Sequence, residues 1–246
     1  MIPNIIVSIT GHPKSGKTHL ALTFPEPVKV FSFDGGADYV RTKFSDKAID
    51  IVNFQMPLIE SEDDSSWAPP IWDDFYKKYK KAVESREYQT LVIDTASTAH
   101  TILNQTGFEW LRQEAEGKGK DKKKLAVNEY HTRNLLMKAL FDLPKNYGIN
   151  LVTTQYLGEK WATPPGGKMP EPTGEEKIQG WAQTEAFADI NIGMTTRIKI
   201  VVVDKKTVEK TVMMATIKST RFDRDMIGKA FEDTCYDEIV ALMFGG

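Results

Sequence analysis

The chain has 246 residues, 41% hydrophobic and 27% charged, which suffices for one α/β domain with a full core. Its formal net charge of -2 excludes a globally basic nucleic-acid binder while leaving room for a local basic patch. The single cysteine, Cys235, excludes an intramolecular disulfide and fits a reducing compartment. No basic leader precedes the first apolar run, and no apolar stretch approaches bilayer-spanning length. A soluble, cytoplasmic protein without membrane contact is therefore expected.

The first apolar run, Ile5-Ile6-Val7-Ser8-Ile9, reads as a buried strand. Gly11-His12-Pro13-Lys14-Ser15-Gly16-Lys17-Thr18 follows, with the spacing G-x-x-x-x-G-K-T of a Walker A loop. Lys17 to Leu22, through His19, reads as the start of a helix. Strand, glycine turn and helix N-terminus make an anion cradle, because backbone N–H groups and the positive helix end face a phosphate. Residues 11–19 are the candidate ATP-binding residues. Lys17 is expected to reach the β- and γ-phosphates, and the Thr18 hydroxyl to ligate Mg²⁺.

Phe24-Pro25-Glu26-Pro27 stops the first helix, and residues 28–34 read as a second strand ending at the Asp34-Gly35-Gly36 turn. Residues 49–54 form a third strand candidate, and the acidic, proline-bearing stretch 55–70 reads as an exposed loop. Ile71, Phe75, Tyr79 and Val83 recur every four residues and predict a helix. Thr90-Leu91-Val92-Ile93-Asp94-Thr95 is an apolar strand ending in an acid, the Walker B pattern. Asp94 can hold Mg²⁺ opposite Thr18.

A helix is predicted over about 96–116, then a lysine- and glycine-rich loop, then a helix over about 126–143 ending at Pro144. Residues 149–155 read as a strand ending at Gln155. Residues 156–185 hold four prolines and several glycines, without clear periodicity. Residues 187–192 read as a strand, 197–203 and 211–217 as a hairpin, 218–225 as a charged loop and 236–244 as a closing helix. Strands alternating with helices predict an α/β fold: a mainly parallel central sheet flanked by helices, with a C-terminal β-hairpin, in one domain spanning 1–246. Ligands bind such sheets at the strands' C-terminal ends, where Gly11, Asp34, Asp94 and Gln155 fall.

In this order, GHPKSGKT (11–18), VFSFDGGADY (30–39), LVIDT (91–95), LVTTQ (151–155), a long loop, a hairpin and IKSTR (217–221) resemble a RecA-type P-loop ATPase. More narrowly, they resemble the compact phage-type RecA-like ATPases linked to single-strand annealing and recombination. The resemblance implies an ATP- and Mg²⁺-dependent ATPase that binds single-stranded DNA as a filament or ring. It would work beside single-strand-binding or other recombination proteins, in the host cytoplasm or nucleoid if phage-encoded. It places the strand ending at Gln155 between the P-loop and Asp94 strands, with Gln155 sensing the γ-phosphate. It places DNA at about 105–125, with Lys118, Lys120, Lys122, Lys123 and Lys124, and at 156–185, with Lys160, Trp161, Lys168, Lys177 and Trp181. Lysines neutralise phosphates and aromatic rings stack on unpaired bases, whereas lysine-rich loops and packed tryptophans are the plainer alternative.

Lys218 and Arg221, with Arg224 nearby, match residues that reach a neighbour's γ-phosphate in the family; surface ion pairs with Asp223 and Asp225 are the alternative. Tyr39 either stacks on adenine or packs. The family's catalytic glutamate has no counterpart: the matching stretch is Asp34-Gly35-Gly36-Ala37-Asp38, and Thr95 follows Asp94. Asp34 is the first candidate for the general base and Asp38 the second. A nucleotide switch without efficient hydrolysis therefore stays open. A small-molecule or nucleotide kinase fits less well, because 156–185 carries no arginine for a lid. Lys17→Ala is expected to abolish nucleotide binding while leaving the fold intact. Circular dichroism with a nucleotide-binding assay checks this, and retained ATP affinity would overturn the assignment.

Overall fold

The computed structural model describes residues 3–58, 64–119, 130–165, 167, 169–203 and 206–245. Six parallel strands form the centre: β1 (Ile6–Gly11), β2 (Val28–Ser32), β3 (Ile49–Asn53), β4 (Thr90–Asp94), β5 (Asn150–Gln155) and β8 (Ile190–Val203). Two antiparallel strands, β9 (Lys206–Thr220) and β10 (Ala230–Glu232), extend one side. The order is β10-β9-β8-β1-β5-β4-β2-β3, so β5 lies between the P-loop strand and the Asp94 strand. A separate two-stranded sheet, β6 (Leu157–Ala162) with β7 (Glu171–Ile178), rises directly from the end of β5.

Alternation along the buried strands sorts side chains into two cores. Val7, Ile9, Val30, Val92 and Val152 pack with α1 (Lys17–Leu22) and α7 (Tyr236–Phe244). Ile6, Phe31, Leu91, Ile93 and Leu151 pack with α3 (Ala68–Ser85), α4 (Ala96–Glu116) and α5 (His131–Tyr147). Phe75 is fully buried at the centre of an aromatic cluster, with Phe33 at 5.1 Å, Trp72 at 5.4 Å and Phe31 at 5.5 Å between ring centroids. Two short helices, α2 (Gly36–Arg41) and α6 (Thr184–Phe187), complete the fold. Among the described residues, no helix is long and apolar enough to cross a membrane.

Several sequence expectations need correction. The stretch 156–185 is not irregular: it holds β6, β7 and α6. Helix α5 does not stop at Pro144 but runs through it to Tyr147. Proline lacks the N–H that would bond to Leu140, and that carbonyl accepts the Tyr79 hydroxyl instead, which removes part of the cost of the proline. Phe187 closes a helix rather than opening a strand, and Lys218 lies on β9 rather than in a loop. The hairpin is longer than expected, with β8 and β9 paired from Ile190↔Thr220 to Val203↔Lys206. Its outer part alternates basic, β-branched and threonine side chains, a pattern without a sharp boundary. Phe75→Ala is expected to destabilise the protein by about 3–5 kcal/mol, the usual cost of emptying a large buried aromatic site. Urea denaturation measures this, and a loss below about 1 kcal/mol would show that the cluster can collapse around the cavity.

Candidate nucleotide site

The P-loop turn leaves β1 at Gly11, whose neighbour on β8 is Met194. A Cβ on Gly11 would stand 2.4 Å from the Met194 carbonyl oxygen, so only glycine fits against that strand. Gly16 caps α1 with φ +94, and a Cβ there would meet Met213 Sδ at 2.1 Å. The turn is closed by Ser15 N–H donating to the His12 carbonyl at 3.3 Å. Ser15 Oγ is buried with no hydrogen-bond partner among the described residues.

Lys17 is buried, and its ammonium donates to the carbonyls of Gly11 at 2.9 Å and His12 at 2.7 Å. Burial pulls its pKa down, against the pull of Asp94 and Asp34. The Thr18 hydroxyl donates to Asp94 Oδ2 at 3.0 Å, and the Thr154 hydroxyl donates to Asp94 Oδ1. Asp94 is fully buried at the tip of β4, and burial pushes its pKa up to about 6. The Thr154 and Thr18 hydrogen bonds and the Lys17 charge oppose that rise, and Asp34 adds to it. A hydroxyl and a carboxylate are the hard oxygen donors Mg²⁺ takes, and a cation there offsets the burial of the charge. The residues present thus fit Mg²⁺ held by Thr18 and Asp94, where the metal would neutralise charge developing on a phosphate.

Gly16, Lys17, Thr18 and Asp94 line a cavity of about 450 Å³ that also takes in Pro13, Lys14, His19, Thr95, Tyr156 and Met213. Asp34 lines it too, accepting from the Gly36 N–H at 2.9 Å and from the Tyr156 hydroxyl at 2.8 Å. Asp38 does not: it lines a neighbouring cleft with Tyr39 and accepts from Asn53 Nδ2 at 2.7 Å. Tyr39 is 83% exposed and stands outside the P-loop cavity. His12 turns outward, its Nε2 2.7 Å from Glu176 Oε1 on β7.

The sheet turns Gln155 away from the cavity. It is fully buried, accepting from Ser8 Oγ at 2.9 Å and donating to Thr184 Oγ1 at 2.9 Å. Thr154 faces Asp94 instead, and Tyr156 faces Lys17. The period of two along a strand would have assigned Thr154 and Tyr156 to one side and Gln155 to the other. Met213 was beyond sequence reasoning, because only the pairing of β9 with β8 brings it over Gly16.

Lys218 lies two strands from β1, and Arg221 follows Thr220, level with the start of β1 rather than with Gly11. Arg221 donates to the Ala186 carbonyl and lies 3.4 Å from Asp189, so neither residue enters its own cavity. Lys118 pairs with Glu114 one turn back on α4, and Lys160 with Glu175 across the β6–β7 hairpin. Trp161 is 55% exposed, whereas Trp181 is a core residue stacked on Phe187 and bonded to Asn134. Lys120, Lys122, Lys123, Lys124 and Lys168 lie outside the described residues.

A family described as an AAA domain matches residues 3–223 of the chain. The chain belongs to the AAA domain family. No curated protein matches it. The AAA match suggests nucleotide binding and ATPase-type activity, and the Lys17–Thr18–Asp94 geometry fits a phosphate-bearing ligand.

In the folded AAA domain Asp94 binds its proton more tightly than in the unfolded chain, so stability falls as pH rises from about 4 to about 6. Above that window the buried charge costs on the order of 3 kcal/mol. Asp94→Asn is therefore expected to raise the melting temperature at pH 8, without nucleotide or metal, and to change it little at pH 4. Equal melting of both proteins at pH 8 would overturn the buried-charge reading.

Proposed function

We propose that this AAA protein is an oligomeric ATPase that binds single-stranded DNA and promotes annealing or recombination. One observation supports the DNA part: an exposed hairpin, β6–β7, stands on the rim of the P-loop. It starts one residue after β5, and its Glu176 contacts His12 of the loop at 2.7 Å. Trp161 offers an exposed ring for stacking on bases, with Lys160 and Lys177 on the same arm. Residues 157–178 carry Glu159, Glu171, Glu175 and Glu176 against Lys160, Lys168 and Lys177. Stacking is thus the stronger part of this reading, and charge the weaker. Lys218 and Arg221 lie away from their own cavity, so a role at the γ-phosphate belongs to the neighbouring copy in an oligomer.

A second reading, a nucleotide switch without efficient hydrolysis, is favoured by one feature. Apart from Asp94, Asp34 is the only acid lining the cavity among the described residues, and no glutamate stands there. Single-turnover hydrolysis with added DNA separates the two readings. Binding of labelled single-stranded DNA is expected to depend on ATP with Mg²⁺ and to weaken with salt. Trp161→Ala is expected to cost about 1–3 kcal/mol of that binding. Binding that is absent, or indifferent to both nucleotide and salt, sinks the DNA assignment.

A further inference from the structure

We infer that Tyr156 is a positioning residue that holds Asp34 toward Lys17 and ties the nucleotide cavity to the β6–β7 hairpin. The inference rests on the ATPase reading, in which Asp34 is the candidate base. Tyr156 is the one residue between β5 and β6, and strand alternation sends its ring to the cavity side with Thr154. Its hydroxyl donates to Asp34 Oδ2 at 2.8 Å while the Gly36 N–H donates to Oδ1 at 2.9 Å. The carboxylate is thus oriented by a backbone N–H of its own turn and by a side chain from the end of β5. Burial, with Asp34 alongside, raises the phenol pKa, so the hydroxyl keeps its proton and stays a donor. The same ring lies 4.7 Å from Lys17 Nζ, within cation–π range.

The backbone of Tyr156 forms the root of the hairpin. Its N–H donates to Ser97 Oγ at 3.0 Å, and Ser97 Oγ donates on to the Gln179 carbonyl at 2.6 Å. Gln179 N–H returns to the Tyr156 carbonyl at 2.8 Å. Ser97 stands in the first turn of α4, three residues past Asp94. A Cβ at Gly180 would come within 3.3 Å of Ser97 Cα, so the two segments are in close contact. One residue therefore touches the P-loop lysine with its ring, the candidate base with its hydroxyl and both hairpin strands through its backbone. A phosphate that draws Lys17 toward itself removes the cation from the ring. Any resulting tilt of the ring moves Asp34 and the hairpin root together.

The test uses the full chain and Tyr156→Phe, which keeps the ring and loses only the hydroxyl. Circular dichroism first confirms the fold. Steady-state ATP hydrolysis is expected to lose about tenfold or more in kcat, the scale of a hydrogen bond to a charged group, with KM for ATP unchanged. A rise in KM with kcat retained overturns the positioning role. The second readout needs no hydrolysis: amide hydrogen exchange of residues 157–178, with and without a non-hydrolysable ATP analogue and Mg²⁺. The analogue is expected to change exchange in the wild type and to change it far less in Tyr156→Phe. An unchanged wild type, or an equal response in both proteins, overturns the coupling. If the wild type hydrolyses no ATP, the ATPase reading fails and the exchange response alone decides this inference. If it hydrolyses ATP but ignores single-stranded DNA, the DNA reading fails and both readouts still apply.

Discussion

A carboxylate and an ammonium, both taken out of water within one cavity, set the terms for the rest of this structure. Asp94 and Lys17 are each buried, and neither could be held charged there without compensating partners. Two hydroxyls, Thr18 and Thr154, supply them to Asp94, and two P-loop carbonyls supply them to Lys17. Those four donors and acceptors come from the P-loop, α1 and β5, so the sheet order is part of the electrostatics. With β5 between β1 and β4, Thr154 reaches Asp94 from one side while Thr18 reaches it from the end of the P-loop. The two apolar cores on either face hold the three strands rigidly enough for that geometry to persist.

The same edge of the sheet carries two projecting arms. The β6–β7 hairpin leaves β5 beside the cavity, and the β8–β9 ribbon continues past Met194, the partner of Gly11. Each arm is anchored in the cavity by one residue of its root, Tyr156 for the first and Met213 for the second. The tips differ in chemistry: the hairpin presents Trp161, and the ribbon presents Ile198 and Ile200, both more than half exposed.

Much of the fold was legible because its signals are local. Buried parallel strands read as apolar runs: β4 and β5 lie within the runs identified from sequence, and β1 begins within its run and continues to Gly11. The helix expected over about 96–116 is α4, Ala96–Glu116, where Thr95 caps the start by accepting from the Thr98 N–H and a glycine follows the end. What escaped was set by contacts between distant segments. Pro144 reads as a stop until Tyr79 comes to satisfy the freed carbonyl of Leu140. The hairpin in 156–185 is hidden by prolines and glycines, and its exposed strands bury too little for an apolar alternation to develop. Trp161 and Trp181 read alike in sequence, and only packing separates an exposed ring from a core one.

The candidate site divides along the same line. Gly11, Gly16, Lys17 and Thr18 could be named from sequence because they keep the Walker A spacing, and Asp94 because it ends an apolar strand. The sequence by itself therefore pointed to a Walker A phosphate cradle and to the residues that build it. It could not decide which neighbours face that cradle, since one residue along a strand reverses the direction of a side chain. Gln155 and Tyr156 differ by that single step, and the sheet buries one with Ser8 and Thr184 while turning the other onto Asp34 and Lys17. Sequence ranked Asp34 ahead of Asp38, and tertiary structure supplies the reason: Gly36 and Tyr156 hold the first at the P-loop cavity, while Asn53 holds the second in the next cleft.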